Sequence, residues 1–294
     1  MTSNPDHAQP IPSPVIRTMA ALGSSFAAGP GIEPVLDSGA LRSGRNYPHL
    51  IADRLGAELV DLTVSGATTA TILTETHQTM TGATYPPQIE GIPANAELVT
   101  VTAGGNDLQL LGSMLFAAWS NLAPESPITQ MLAQGFTDGI HAATQAQVNA
   151  ASDGLERIVD AARNRATAAR IVLVDYLTIL SVDAAPTAEA NLTVNSPFTR
   201  QQFDVLRGLH ESVAEAHQLA QGRSGADLVT ASVFSRRHGV GSARPWVFGF
   251  EPDMTQTVKS FHPNADGMLA VADAVLERLR HGPHLAGVRE PRDF

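Results

Sequence analysis

Four short blocks of this 294-residue chain carry groups able to do acyl-transfer chemistry. They are Gly23-Ser24-Ser25-Phe26-Ala27-Ala28-Gly29, Ser65-Gly66-Ala67-Thr68-Thr69, Gly104-Gly105-Asn106-Asp107 and Ser260-Phe261-His262-Pro263-Asn264. Acyl transfer needs a nucleophile, a base within hydrogen-bond reach, and donors aimed at the oxyanion that develops on the attacked carbonyl. Ser25 supplies a hydroxyl. His262 can take its proton and return it to the leaving alcohol. The donors would be the backbone N–H of Ser25, the backbone N–H of Gly66 and the side-chain amide of Asn106. Each residue also has a plainer use. Ser25 can cap a helix, Gly66 can make a tight turn, and Asn106-Asp107 can be a cap followed by an acid that suits the helix dipole. His262 alone can be structural.

Each of the first three blocks follows a strand-like run, which is where an open α/β sheet binds its ligands. Val15–Leu22, Glu58–Ser65, Glu97–Gly104, Arg170–Leu177 and Asp227–Phe234 are short, apolar and often β-branched. That pattern suits strands buried on both faces of a parallel sheet. Helical patterns lie between and after them, over Tyr47–Ala57, Ala142–Ala169, Arg200–Gln221 and Ala265–Arg280. Alternation of this kind predicts right-handed crossovers and a three-layer α/β/α sandwich. No linker divides the chain, so one domain over residues 15–281 is expected, with a loose arm at 1–14 and a tail at 282–294. Ser181–Phe198 and Gly239–Asp253 read as long loops.

Composition narrows the function classes. Lys and Arg total 19 against 29 Asp and Glu, a formal net charge of −10. An acidic surface repels phosphate backbones, so nucleic acid is not expected as a partner. There are no cysteines, which excludes disulfides, thiolate metal sites and cysteine nucleophiles. No apolar run reaches membrane-span length, and no secretory signal pattern is visible. A cytoplasmic address is therefore expected, or a secreted one if a leader has been trimmed. The histidines form no metal set: His210 and His217 fall two turns apart and read as surface residues, and His281 and His284 sit in the polar tail.

The four blocks resemble the SGNH (GDSL) hydrolase superfamily, named for its Ser, Gly, Asn and His. Block order, spacing and placement after successive strands all match, from about Val15 to Arg280. RSGRNYPHLIADRLGA, VSGATT, TAGGNDL and SFHPNADG look most like the branch of secreted actinobacterial esterases and phospholipases. The resemblance implies a flavodoxin-like five-stranded parallel sheet and ester hydrolysis with no metal and no cofactor. It maps the nucleophile onto Ser25, the base onto His262, and the oxyanion donors onto Ser25, Gly66 and Asn106.

Three features depart from the family pattern. Ser24 stands where the family carries Asp, and the flanking Gly23 and Gly29 fix Ser25 as the family serine. Lys259 stands where the family's triad Asp lies, three residues before His262. A lysine cannot accept from an imidazole N–H. The Lys259 backbone carbonyl is then expected to orient His262, with its side chain turned to water; Asp253 or Glu251 is the competing orienter. The half-cystines usual in the branch are absent as well, which favours an intracellular member.

Leu108–Leu122 is apolar nearly all round and reads as a buried helix. Leu108, Leu111, Met114 and Leu115 can alternatively wall an acyl pocket, with Trp246, Phe248 and Phe250 lining the same cleft. The substrate expected is a small-molecule carboxylic ester, lactones included. An acyltransferase or deacetylase using the same site, and a non-catalytic binding protein that kept the fold, are the alternatives.

Overall fold

The apolar runs become the strands of a parallel sheet, and the amphipathic runs become the helices that cover it. The structure, a computed structural model, describes residues 15–281 except 182, 184 and 188–190. The expected arm at 1–14, the tail at 282–294 with His284, and part of the Ser181–Phe198 loop lie outside the described residues.

In chain order the strands are β1 (Thr18–Gly23), β2 (Val35–Asp37), β3 (Arg42–Ser43), β4 (Glu58–Asp61), β5 (His77–Gln78), β6 (Thr84–Tyr85), β7 (Leu98–Thr102), β8 (Arg170–Val174) and β9 (Asp227–Val229). The helices are α1 (Ser25–Ala28), α2 (Tyr47–Leu55), α3 (Thr69–Leu73), α4 (Leu110–Leu122), α5 (Pro127–Ala133), α6 (Gln145–Arg165), α7 (Arg200–Ser224), α8 (Ala231–Phe234) and α9 (Ala265–Arg280). The main sheet runs β4-β1-β7-β8-β9 and is parallel throughout. Renumbered within the sheet this is 2-1-3-4-5, the flavodoxin-like order. Two small antiparallel hairpins, β2-β3 and β5-β6, are inserted beside it.

Local sequence accounts for the element ends. Asn46 caps α2 by accepting the His49 N–H, and Gly56 closes the helix at φ +63. Thr144 and Gln147 form a capping box on α6, as Thr199 and Gln202 do on α7. Every residue of β1 and β7 is buried, as their continuous apolar character requires. The last predicted strand ends early. β9 stops at Val229, and Ala231–Phe234 is helical. The cause is Asp175 at the end of β8, whose carboxylate accepts the Ser232 N–H at 2.8 Å and the Ser232 hydroxyl at 2.6 Å. That pair turns the chain out of the sheet.

Right-handed crossovers dictate the two helical layers. The chain steps one way from β1 to β4 and then the other way to β7, β8 and β9, so α2 falls on one face and α3, α6 and α7 on the other. Accordingly α2 packs on α9, while α6 packs on α7 and α3. The core is one continuous cluster spanning both faces. The strand order reverses between β1 and β7, which opens a crevice above their carboxyl ends.

Candidate active site

Strand pairing brings three of the four blocks side by side at that crevice. Gly23 pairs with Thr102 at the ends of β1 and β7, and the Ser24 N–H donates to the Thr102 carbonyl at 2.9 Å. On the other side of β1, the Val64 N–H donates to the Gly23 carbonyl at 3.0 Å. The Ser25, Asn106 and Gly66 blocks therefore leave three adjacent strands at one edge.

Gly23 itself leaves no room for a side chain. A Cβ there would lie 2.5 Å from the Thr102 carbonyl oxygen. Gln88 clamps the same residue, accepting its N–H at 2.8 Å and donating to its carbonyl at 3.0 Å. Ser24, not Ser25, holds the N-cap position of α1, and Ser25 is the first helical residue. The Ser25 N–H has no acceptor among the described residues, as expected for a first-turn amide.

Gly66 adopts φ +88, a conformation that strains any L side chain. Its neighbours are pinned: the Ser65 N–H donates to Ala40 at 3.0 Å and the Ala67 N–H to Val64 at 3.1 Å. Between them the Gly66 N–H has no acceptor among the described residues. The Asn106 side chain donates one amide hydrogen to the Ala67 carbonyl at 2.8 Å, which leaves its second hydrogen available. Asp107 binds across to the next block, accepting the Thr69 N–H at 3.1 Å and the Thr69 hydroxyl at 2.5 Å. Its partner is the start of α3 rather than its own helix.

His262 arrives from the far end of the chain. Its ring lies 5.7 Å, centre to centre, from that of Phe26, the residue after Ser25. The turn Gly29–Gly31 is the seat of this segment. A Cβ on Gly29 would meet Met268 of α9, and one on Gly31 would lie 2.4 Å from the Lys259 Cβ. Phe261, just before His262, sits at φ +63 with no exposed surface, held between Phe198 and Phe250 at ring distances of 5.5 and 5.9 Å. Left-handed backbone at a bulky residue costs energy, and here it aims the residue that follows.

Both Ser25 and His262 are buried, at 6% and 7% exposure. Burial pushes the His262 imidazole down to about 4, opposed by the carbonyls of Ser260, Lys259 and Val258. It is therefore neutral near pH 7 and able to accept a proton. Its Nδ1 is sealed from solvent without an aligned hydrogen-bond partner. The Lys259 carbonyl already accepts the His262 backbone N–H at 3.0 Å. The Lys259 side chain is not turned to water as expected. It lies over Gly31, with Nζ 3.7 Å from Glu251 and 5.4 Å from the Phe248 ring centre. Asp253 is exposed, and its carboxylate accepts the N–H and hydroxyl of Thr255, both at 2.8 Å. Those bonds and the Lys259 charge hold it below the usual carboxylate range.

The apolar residues expected to wall a pocket are spread over the core and two separate cavities. Leu111 and Met114 are buried in the core face of α4, and Leu115 is half-buried. Met114 reaches a cavity of about 680 Å³ with Thr178 and His210, whereas Leu108 lines a separate one of about 280 Å³ with Phe136 and Leu209. Phe248 flanks His262 directly, its N–H donating to the His262 carbonyl at 2.8 Å. Trp246 stacks on His238 at 3.7 Å, and Phe250 is core.

Tyr176, a residue the sequence reading passed over, joins two blocks. Its hydroxyl lies 2.9 Å from the Ser24 hydroxyl and accepts the Gly105 N–H at 3.1 Å, and its ring lies 4.4 Å from that of Phe26. It follows β8 as the other blocks follow their strands, and that position was the available signal. The expectation that His210 and His217 are surface residues is wrong. His217 is fully buried, its Nδ1 donating to the Val213 carbonyl at 2.9 Å, and the His210 Nε2 lies 3.1 Å from the carbonyls of Tyr176 and Leu177. Among the described residues no three His, Asp or Glu side chains converge as metal ligands, and no helix is long and apolar enough to cross a membrane.

Comparison with known proteins agrees with this fold. Residues 21–270 match the model of the GDSL-like lipase/acylhydrolase family. Lipase 2 of Streptomyces coelicolor is 30% identical over 294 aligned residues, covering 95% of this chain and 91% of that protein. Two solved structures share the fold: an extracellular lipase of Streptomyces rimosus (19% identity, TM-score 0.62) and a phospholipase A1 of Streptomyces albidoflavus (18% identity, TM-score 0.64). Each covers 90% of this chain and 99% of its own. This chain therefore belongs to the GDSL-like lipase/acylhydrolase family, the SGNH hydrolases, in its actinobacterial branch.

Proposed function

We propose that the chain hydrolyses carboxylic esters through an acyl-enzyme on Ser25, with His262 as general base. The observation that carries this reading is the meeting of the Ser25, Gly66 and Asn106 blocks at the carboxyl ends of adjacent strands, with a buried neutral imidazole beside them. The Ser25 oxygen attacks the ester carbonyl while His262 takes its proton. The oxyanion is met by the Ser25 N–H, the Gly66 N–H and the free hydrogen of the Asn106 amide. Collapse returns the proton from His262 to the departing alcohol. Water then repeats the sequence on the acyl-enzyme, with His262 again as base.

The carbonyls of Val258, Lys259 and Ser260 are assigned as the imidazole's orienting and charge-offsetting groups in place of a carboxylate. Asp253 is committed to Thr255 and Glu251 to Lys259, which weighs against both. The lipase and phospholipase names of the relatives favour an ester of lipid type, with lactones within the same chemistry. The absence of cysteine supports a reducing compartment, whereas the S. rimosus enzyme is extracellular; assaying culture fluid against lysate of the native host separates the two.

The test is a chain-length series of p-nitrophenyl esters run on wild type and Ser25→Ala beside a fluorophosphonate label. The expected result is labelling at Ser25, turnover by wild type and loss of both in the variant. A folded wild type that neither labels nor turns over any ester would make the chain a binding protein. Preferential transfer to added alcohol over water would make it an acyltransferase.

A further inference from the structure

His77, on the inserted hairpin β5-β6, approaches the Gly66 block from outside the four motifs. Its Nε2 lies 3.2 Å from the Ser65 carbonyl oxygen. A carbonyl cannot donate, so this contact requires the proton on Nε2. The Ser65 carbonyl and the Gly66 N–H are the two ends of one planar peptide unit, pointing in opposite directions. A donor on the carbonyl polarises that unit and strengthens the N–H at its other end.

The ring also fixes where this peptide sits. A Cβ on Gly66 would lie 3.4 Å from the His77 Nε2 and 3.5 Å from its Cε1, so the imidazole lies against the glycine as well as the carbonyl. From the other side, the Ser65 N–H is held by the Ala40 carbonyl at 3.0 Å. The hairpin that carries His77 is tied in turn to the β2-β3 insertion. The Tyr85 hydroxyl donates to Asp37 at 2.7 Å, and the Thr81 hydroxyl donates to the Gly39 carbonyl at 3.1 Å.

We propose that His77 is a positioning residue of the oxyanion site: it holds and polarises the Ser65–Gly66 peptide so that the Gly66 N–H meets the developing negative charge. The inference rests on the reading of Gly66 as an oxyanion donor. Among the described residues His77 makes no hydrogen bond to Ser25, and its action runs through the Ser65–Gly66 peptide. Its contribution appears as charge develops, so it belongs in kcat and not in KM.

The experiment compares His77→Ala, His77→Gln and His77→Phe with wild type. Gln places an amide N–H near the position of Nε2, and Phe keeps a ring without a donor. The His77→Ala and His77→Phe variants are expected to lose about 10- to 100-fold in kcat, short of the loss for deleting an oxyanion donor outright. KM and melting temperature should stay near the wild-type values, and His77→Gln should recover most of the rate. The rate of fluorophosphonate labelling should fall in parallel with kcat, because the phosphyl oxygen occupies the same site. Wild-type kcat in His77→Ala, or full activity in His77→Phe, would overturn the proposal. Failure of wild type itself to label or turn over would instead overturn the ester-hydrolase reading.

Discussion

Replacing Tyr176 by Phe removes one oxygen from a fully enclosed site and leaves the ring in place. Two bonds go with it: the contact with the Ser24 hydroxyl at 2.9 Å and the acceptor of the Gly105 N–H at 3.1 Å. Burial pushes the phenol far above its usual range, so it remains protonated; its hydroxyl shares a hydrogen bond with the Ser24 hydroxyl and accepts from Gly105. Gly105 is buried against the tyrosine ring, and a Cβ there would lie 2.6 Å from Cε1. A buried N–H left without a partner costs about 1–3 kcal/mol, and the orphaned serine hydroxyl adds roughly 1 more. A loss of about 2–4 kcal/mol lowers the melting temperature by roughly 3–7 °C in a chain of this size. The same two bonds tie the loop of Ser25 to the loop of Asn106, and a misplacement of about 1 Å between reacting groups costs up to about 100-fold in rate. The Tyr176→Phe variant should therefore lose about 10- to 100-fold in kcat on a p-nitrophenyl ester at 25 °C, where it remains folded. Ser24→Ala should couple to it, with the double variant less damaged than the sum of the singles. Wild-type kcat in Tyr176→Phe, or strict additivity with Ser24→Ala, would refute the idea of one welded unit.

The acid side of the pH profile follows from the buried imidazoles. With His262 near 4 in the folded enzyme, kcat/KM should hold at pH 5.5 and fall only toward pH 4; a limb near the usual 6.5 would show that the base is solvated. Stability carries a sign of its own. His217 and His262 both lie near 4 when folded and near 6.5 when unfolded, so between these values the unfolded chain binds more protons and stability is lost as pH falls. Asp175 is raised by burial to about 6 and opposes them, gaining stability as pH falls from about 6 toward its usual 3.8. Asp175→Asn should consequently steepen the acid loss of melting temperature between pH 6 and 4, read by calorimetry, and an unchanged slope would contradict the assignment. Far from the site, Asp227 is buried between Arg170 and Arg278, and Arg170 also donates to the carbonyls of Arg278, Leu279 and His281 at the end of α9. Asp227→Ala leaves those charges uncompensated and should cost about 3–5 kcal/mol in urea titration while kcat at 25 °C stays at the wild-type value.

The strands and long helices were legible because their signals are local. Unbroken apolar runs marked β1, β7 and β8, and amphipathic runs marked α7 and α9. The four blocks were legible because the chemistry restricts residue type and each block of the first three trails a strand. What escaped depends on partners far along the chain. Gln88 clamps Gly23 across 65 residues, and Tyr176 reaches Ser24 across 152. No pattern within either segment announces such a contact. His217 is a different failure, because the signal was present. Phe203, Leu206, His210, Val213, His217 and Ala220 fall at spacings of three and four along α7, one continuous stripe. Histidine was read as polar there, yet neutral imidazole with a carbonyl partner fits a buried stripe. The expected pocket residues scatter for a geometric reason: Leu108, just before α4, and Met114, on it, line different cavities.

Dispensing with the carboxylate changes what the scaffold must supply. In the proposed mechanism, Ser25 gives up its proton and His262 becomes an imidazolium in a site whose burial disfavours that charge. A triad Asp would offset the cost with a full negative charge. Here the offset within the proposed mechanism comes from three carbonyl dipoles presented by the 3-10 turn Thr257–Lys259 and the residue after it. Dipoles act over shorter distances than a charge, so their alignment matters more. That places a premium on the backbone of this turn, and the structure fixes it from several sides: the Glu251 N–H on the Ser260 hydroxyl at 2.9 Å, the His262 N–H on the Lys259 carbonyl at 3.0 Å, and the enclosed ring of Phe261 at positive φ. The Lys259 ammonium, the nearest positive charge in sequence, is meanwhile engaged by Glu251 and the face of Phe248, which keeps it from competing with the imidazolium. Within that proposal, the lysine at the position of the family's acid has its side chain neutralised locally, and its backbone serves instead.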